Sequence, residues 1–303
     1  MQQVPGLVFG AALVANSQSS RDSDTQFPQK PRDRLAVTSY PFRAFINSPN
    51  NRSKDNKSPR IDLIEFPALI ATKFGVCNIN PLGDHFRATD PGYLEAFRGA
   101  VAKANSHVVD LGLGGRPFYD KDPSVRKAAV EFGRKWIDIA AAVGSPSVRQ
   151  HVSRSPGQKP DVALAAEGLG QLAEYGAKRN IIVNLENDDP VSEDPFFLVN
   201  VIKQVNSQYL RALPDFGNSL LGHDPDYNAR AVEAMFRFAH GMSHVKDTVQ
   251  SEDGKTFHVD LAKMFGIAKA SSYRGYFSME FETELGDPFA GTQALVRETL
   301  QYL

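Results

Sequence analysis

The chain has 303 residues, a formal net charge of -1 and one cysteine, Cys77. Its hydrophobic content of 42% is enough for a sizeable core, and the length fits one large α/β barrel or two ordinary domains. The near-neutral charge offers no basic excess for nucleic acid, so we expect no nucleic-acid partner. A single cysteine excludes an intramolecular disulfide and a cysteine-based structural zinc site.

The first 34 residues are predicted to precede the main domain. Residues 4–15 form an apolar run without a preceding basic segment, and the run is too short for a bilayer, which needs about 20 apolar residues. Two interpretations stay open: the remnant of a secretory signal on a periplasmic or secreted protein, or a segment packed on the domain of a cytoplasmic protein. Residues 17–34 have the composition of a linker. We expect no membrane partner for the mature form.

From residue 35 to residue 303, short apolar segments alternate with helical patterns. Eight strands are predicted, at residues 35–40, 75–80, 107–114, 145–151, 181–187, 210–217, 241–247 and 275–282. Because each return between parallel strands needs a crossover helix, eight such repeats predict an α/β protein with a single-domain (β/α)8 TIM barrel. A doubly wound open sheet is the competing architecture, and the absence of a glycine-rich phosphate motif after the first strand disfavours it.

Three of the intervening segments carry clear helix signals. Residues 122–144 end at Gly144, a plausible C-cap, and residues 161–176 repeat apolar side chains at helical spacing. Residues 224–241 begin with an N-cap aspartate and are predicted to end at Gly241. The long polar loop at residues 45–60 either covers the mouth of the barrel or is a surface excursion.

Four consecutive predicted strand ends carry side chains that can bind a metal ion or move protons. They are Glu186, Asp215, His244 and Glu280, separated by 29, 29 and 36 residues, or about one β/α unit each. Barrel active sites lie at the C-terminal ends of strands, and neighbouring strands are about 4.8 Å apart, so the four side chains can converge. A single acid at a strand end is usually a helix cap or an ion-pair partner, but four acidic or basic groups inside apolar strands are costly to bury unless paired or metal-bound.

Three carboxylates and one imidazole form a mostly oxygen site for one divalent metal ion. Mn²⁺ (manganese) or Mg²⁺ suits this site, with Co²⁺, Fe²⁺ or Zn²⁺ able to compete. Six further residues on the same face are candidate substrate contacts: Arg149, His151, Lys246, Asn218, His85 and His258. Arg149 is interpreted equally well as an ion-pair partner, and His151 equally well as a surface histidine. Lys246 either stabilises an oxyanion or pairs with Asp247.

The segments NLEN, LPDFGN, SHVKD and FSMEFE, which contain the four candidate ligands, resemble the xylose isomerase-like TIM-barrel superfamily of sugar phosphate isomerases and epimerases. The resemblance covers residues 35–303. It implies a carbohydrate substrate and a Mn²⁺-type ion at Glu186, Asp215, His244 and Glu280. It also implies that Glu186 and Glu280 are catalytic and exchange a proton with a substrate carbon through a metal-stabilised enediolate.

The residues around these ligands depart from the family pattern. Asn218 stands where many relatives have a histidine, and Asn80 stands where relatives often carry a glutamate. The prediction is therefore a metal-dependent isomerase or epimerase of a sugar or keto-sugar. Two alternatives stay open: a lyase, dehydratase or C-glycoside-cleaving enzyme that uses the same metal site, and a non-catalytic sugar-binding barrel. The sequence leaves the oligomeric state, including a homo-oligomer, open.

Overall fold

A computed structural model describes residues 27–55, 57–282, 284 and 286–303. The predicted apolar segment at residues 4–15 lies outside the described residues, as does most of the predicted linker. Within the described part of the chain, no helix is long and apolar enough to cross a membrane.

All eight predicted strands are present, and the third is split into two pieces. The strands are β1 (Leu35–Thr38), β2 (Asn78–Asn80), β3 (His107–Val108), β4 (Leu111–Arg116), β5 (Ser147–Val152), β6 (Ile182–Glu186), β7 (Leu210–Leu213), β8 (Met242–Val245), β9 (Thr248–Gln250), β10 (Thr256–His258) and β11 (Tyr276–Met279). Strands β9 and β10 form an antiparallel hairpin after β8 that the sequence pattern did not predict.

The remaining strands are parallel and form two sheets, ordered β3-β2-β1-β11-β8 and β4-β5-β6-β7. Parallel bridges link the two sheets at both seams, at Leu82 with Gly112 and at Asp215 with His244. The strands therefore follow one another around the fold in chain order, apart from the hairpin. This order brings the C-terminal ends of β6, β7, β8 and β11 next to one another.

Within the described residues, eight α-helices cover the strands: α1 (Phe66–Phe74), α2 (Pro91–Lys103), α3 (Pro123–Val143), α4 (Val162–Arg179), α5 (Pro195–Val205), α6 (Pro225–Phe236), α7 (Leu261–Ala270) and α8 (Pro288–Thr299). Each helix from α2 to α8 starts after an aspartate whose side chain accepts a hydrogen bond from a backbone N–H of the first turn. The predicted cap Gly144 is confirmed, since it follows α3 with a φ of 79°.

The predicted end of the sixth helix is wrong. Helix α6 stops at Phe236 rather than Gly241. The carbonyl of Phe238 accepts a hydrogen bond from the backbone N–H of Ala212, and Ala239 forms a bridge with the same residue of β7. The chain leaves the helix early because these residues already pair with the sheet.

The long loop at residues 45–60 is anchored on the protein surface. Ile46 pairs with Ile61 at its base, and the buried Asn51 side chain donates hydrogen bonds to the carbonyls of Arg43 and Ile46. Ser48 donates to the carbonyl of Phe86, in the loop after β2. The described residues of this loop thus pack beside the neighbouring loop at the end of the barrel.

Candidate metal centre

The four predicted ligands converge at the C-terminal ends of their strands. Glu186 ends β6, Asp215 follows β7, His244 lies in β8 and Glu280 directly follows β11. All four are buried, and each offers an atom within 4.8 Å of the others' ligand atoms. His244 Nδ1 lies 2.5 Å from Glu186 Oε1 and 2.7 Å from Glu280 Oε2. Two carboxylates and an imidazole nitrogen therefore face a common point.

One buried oxygen of this cluster, Asp215 Oδ2, has no hydrogen-bond donor, which supports a cation as its partner. Glu280 Oε2 faces Nδ1 of His244, the nitrogen that a metal ion would share with it. The other oxygen of Asp215 accepts hydrogen bonds from the backbone N–H groups of Gly217 and Asn218, which fixes the direction of Oδ2. Buried carboxylate oxygens are costly without a donor or a cation, and hard divalent ions prefer oxygen ligands. The residues present thus fit a divalent metal ion.

The charges within the cluster depend on one another. Burial works to lower the pKa of His244, but the facing carboxylates of Glu186 and Glu280 outweigh it and raise that pKa to about 10. For the carboxyl group of Asp215, burial raises the pKa, and the neighbouring glutamates raise it further. Without a metal ion, a proton on the imidazole is therefore the positive charge that these carboxylates share.

Arg149, within β5, forms a buried ion pair with Glu186. Its Nη1 donates a hydrogen bond to Glu186 Oε2, the oxygen that does not face His244. Burial alone would lower the pKa of Arg149, but Glu186 and Glu280 outweigh it and raise the pKa. Oε1 of Glu186 thus faces His244, and Oε2 pairs with Arg149. The ion-pair interpretation of Arg149 agrees with the structure.

Lys246, two residues after His244, is buried beside Asp215. Its Nζ donates hydrogen bonds to Asn218 Oδ1 at 2.8 Å and Glu282 Oε1 at 2.9 Å, and it lies 3.9 Å from Asp215 Oδ2. The predicted pairing of Lys246 with Asp247 is therefore replaced by pairing with Glu282. Asn218 in turn donates a side-chain hydrogen bond to the carbonyl of Asn187. Lys246 and Asn218 form a fixed polar wall beside the cluster.

His151 is oriented by a residue that the sequence pattern did not single out. The buried carboxylate of Glu193 lies 2.7 Å from His151 Nδ1 and also accepts a hydrogen bond from the backbone N–H of Val152. The opposite ring nitrogen, Nε2, lies 3.6 Å from Glu186 Oε2 and 3.7 Å from Asp188 Oδ2. Glu193 opposes the effect of burial and helps to raise the pKa of His151. Glu193 thus turns Nε2 of His151 toward the metal cluster.

One cavity brings most of the predicted site residues together. Its volume is about 190 Å³, below the roughly 300–1,000 Å³ of pockets for drug-sized ligands, so it suits a small molecule. The lining residues are Tyr40, Leu82, Asp84, Gly112, Leu113, Gly114, Arg149, His151, Glu186, Asp188, Asn218, Lys246 and Glu280. Tyr40, Asp84 and Asp188 were missed by the sequence reasoning. Burial raises the pKa of Tyr40 to about 12, so its hydroxyl stays protonated and can donate a hydrogen bond.

Two predicted substrate contacts do not line this cavity. His85 is buried, its Nδ1 lies 2.7 Å from Ser39 Oγ, and burial lowers its pKa to about 3. His85 is therefore a neutral histidine that joins two loops. His258 is exposed at the end of the β9–β10 hairpin, where its Nδ1 lies 3.4 Å from Thr248 Oγ1. Its place after the strand end does not bring it to the cluster.

Comparisons with known proteins agree with this architecture. The profile of a family described as xylose isomerase-like TIM barrel matches residues 70–303. Among solved structures, a D-allulose 3-epimerase from Methylomonas sp. aligns with a TM-score of 0.68 and 17% identity over 92% of this chain and 100% of its own.

Two other solved structures are similar to a comparable extent. A xylose isomerase-like TIM barrel protein from Mycobacterium smegmatis, in complex with magnesium, gives a TM-score of 0.66 and 16% identity over 89% of this chain and 97% of its own. A 3-keto-D-glucoside 4-epimerase from E. coli gives a TM-score of 0.64 and 15% identity over 89% of this chain and 99% of its own. No curated protein matches the chain in sequence. At these identities the structural comparisons establish the TIM-barrel fold.

Proposed function

The chain belongs to the xylose isomerase-like TIM-barrel family, and from that premise we propose that it is a divalent-metal-dependent isomerase or epimerase of a neutral sugar or keto-sugar. The proposed reaction removes a proton from a carbon next to a carbonyl group and returns a proton to the sugar. The solved structures that resemble the chain and are described as sugar epimerases support this choice of reaction.

The observation that carries the proposal is the buried cluster of Glu186, Asp215, His244 and Glu280, two members of which, Glu186 and Glu280, line a small cavity. Asp215 Oδ2 has no hydrogen-bond donor, and Nδ1 of His244 lies between the carboxylates of Glu186 and Glu280. A divalent ion held there would supply a Lewis acid for the carbonyl oxygen of the sugar.

Glu280 is the proposed abstracting base. Glu280 lines the cavity with one carboxylate oxygen facing His244, whereas both oxygens of Glu186 are paired, Oε1 with His244 and Oε2 with Arg149. As the C–H bond breaks, the proton passes to Glu280 and the electron pair enters the enolate of the sugar. We assign proton exchange on the other face to Glu186, as the family resemblance implies. Lys246 is close enough to the cluster to stabilise developing negative charge.

The charges around the cavity favour a neutral substrate over a phosphorylated one. Both lining cations are already committed, since Arg149 pairs with a buried carboxylate and Lys246 with another. Two further lining residues, Asp84 and Asp188, are acidic and would repel a phosphate group. The described lining thus offers hydrogen-bonding groups for hydroxyls rather than an uncommitted cation for phosphate.

The test incubates Mn²⁺-loaded protein in deuterated water with a panel of keto-sugars and their phosphate esters. The metal is then removed, and NMR spectra measure the incorporation of deuterium into each sugar. We expect incorporation next to the carbonyl of at least one neutral sugar and none into its phosphate ester. Glu280→Gln should abolish it, because the amide cannot accept the proton. Glu233→Gln, the same change at an exposed ion-paired glutamate, is the matched control and should retain full incorporation.

Each part of the proposal has its own contrary result. Equal incorporation by wild type and Glu280→Gln would remove Glu280 from its role as base. Faster exchange with a phosphate ester would contradict the neutral substrate. Sugar binding without any exchange would support the non-catalytic sugar-binding barrel, and loss of a hydroxyl group would support the lyase or dehydratase.

A further inference from the structure

Asn80, at the end of β2, connects the metal cluster to a buried acid deeper in the barrel. Its Nδ2 donates hydrogen bonds to the backbone carbonyl of Asp110 at 3.0 Å and, more weakly, to Asp110 Oδ2 at 3.4 Å. Its Oδ1 lies 2.8 Å from Nε2 of His244. Asn80 is 1% exposed, so water does not compete for these contacts.

These contacts determine which way the amide of Asn80 faces. The backbone carbonyl of Asp110 can only accept, so the NH₂ group of Asn80 must face it. The carbonyl oxygen Oδ1 of Asn80 therefore faces His244, and this oxygen can only accept as well. It follows that Nε2 of His244 carries a proton. In the neutral imidazole, the free electron pair is then on Nδ1, the nitrogen that faces Glu186 and Glu280.

We propose that Asn80 is a positioning residue that holds His244 in the tautomer and ring orientation that present Nδ1 to the metal ion. Asp110 is the anchor of this arrangement. The inference rests on the metal site of the proposed function and adds to it two residues, Asn80 and Asp110, that would not bind the metal ion themselves. The partner of the second ring nitrogen of a metal-binding histidine typically changes metal affinity 10–100-fold when it is removed.

The chemistry of this position favours an amide. A carboxylate there would keep the acceptor for His244 but would oppose the carbonyl and the carboxylate of Asp110. An aliphatic side chain would remove the acceptor for Nε2 of His244 and the donor for the backbone carbonyl of Asp110. Only a group with one donor side and one acceptor side satisfies both contacts, which explains an asparagine at this strand end.

The anchor is itself held firmly. Asp110 Oδ1 accepts hydrogen bonds from Ser147 Oγ at 2.5 Å and Asn184 Nδ2 at 2.9 Å, and its side chain is fully buried. These contacts come from two other strands, β5 and β6. The orientation of Asn80 is thus set by the barrel interior rather than by a loop.

The experiment measures Mn²⁺ affinity of the apo protein by the EPR signal of free Mn²⁺. Asn80→Leu keeps the side-chain size and removes the acceptor, so we expect the dissociation constant to rise about 10–100-fold. Asn80→Asp keeps the acceptor for His244 but opposes Asp110, so its dissociation constant should lie between those of wild type and Asn80→Leu. The matched control is Asn78→Leu, on the same strand, because Asn78 is equally buried but bonds the carbonyls of Asp33 and Leu35. It should bind Mn²⁺ as wild type does.

A second measurement needs no variant. In wild-type protein loaded with diamagnetic Mg²⁺ and labelled with ¹⁵N-histidine, long-range ¹H–¹⁵N spectra should show the proton of His244 on Nε2. Protonation on Nδ1 would overturn the proposal even if Asn80→Leu did not fold. Equal Mn²⁺ affinity of Asn80→Leu and wild type, or of Asn80→Asp and Asn80→Leu, would also overturn it. If wild-type protein bound no divalent ion at all, the metal site of the proposed function would fail with it.

Discussion

Proton and metal ion should compete for His244, and this competition predicts a steep pH dependence of metal binding. In the metal-free protein, Glu186 and Glu280 overcome the effect of burial and raise the pKa of His244 from 6.5 to about 10. A metal ion at Nδ1 must therefore displace one proton. Because one proton is released, the dissociation constant for Mn²⁺ should fall about tenfold for each pH unit between about pH 7.5 and about pH 9.

The same pKa has a consequence for the stability of the metal-free protein. A raised pKa of His244 contributes stability that is fully present below pH 6.5 and is lost as the pH rises through about 10. The shift corresponds to at most about 5 kcal/mol of unfolding free energy. The melting temperature of metal-free protein should thus fall over this range, and that of metal-saturated protein should change less.

The assay is an anaerobic Mn²⁺ titration at several pH values, with calorimetric melts of both forms. His244→Gln should bind Mn²⁺ more weakly and with a shallower pH dependence in this range. His258→Gln, the same change at an exposed histidine of the hairpin, is the control and should keep the wild-type slope. A wild-type dissociation constant that stays constant from about pH 7.5 to about pH 9 would refute the competition argument.

Two further variants test the shape of the cavity. Glu193→Gln removes the charge that orients His151, so kcat/KM for the sugar should fall about tenfold while the Mn²⁺ affinity stays unchanged. An unchanged kcat/KM would show that the pair of Glu193 and His151 is only structural. Gly112→Ala would place a methyl group 2.5 Å from Nη2 of Arg149 and 2.6 Å from Leu82. We therefore expect a lower melting temperature together with lower activity. A melting temperature and an activity equal to those of wild type would contradict this expectation.

The number and order of the strands could be predicted from the sequence, but their ends could not. Alternation of apolar segments with helical patterns predicted every barrel strand. The predicted strand at residues 210–217 is shorter in the structure because β7 ends before Pro214, which has no N–H group to continue the ladder. The β9–β10 hairpin was missed because its strands have only three residues each and lie partly exposed, so they leave no apolar run to detect.

The four candidate ligands could be predicted because their positions follow from the barrel itself. A strand end fixes both the place and the direction of a side chain, so Glu186 and its three counterparts converge without any knowledge of the loops. Glu193 and His151 are 42 residues apart, and their contact depends on how the loop after β6 folds back. His85 and His258 show the converse error, since a position in a loop after a strand does not determine whether the side chain faces the cavity.

The arrangement around Glu186 also bears on the number of metal ions. A second group, His151, Asp188 and Glu193, offers ligand atoms close to the first cluster. A cation shared between the two groups would need Oε2 of Glu186 as a bridge, but that oxygen already accepts a hydrogen bond from Arg149. The guanidinium is a permanent positive charge, and it would repel a second cation at this place. We therefore expect the cluster to bind one divalent ion and Nε2 of His151 to remain open to the substrate.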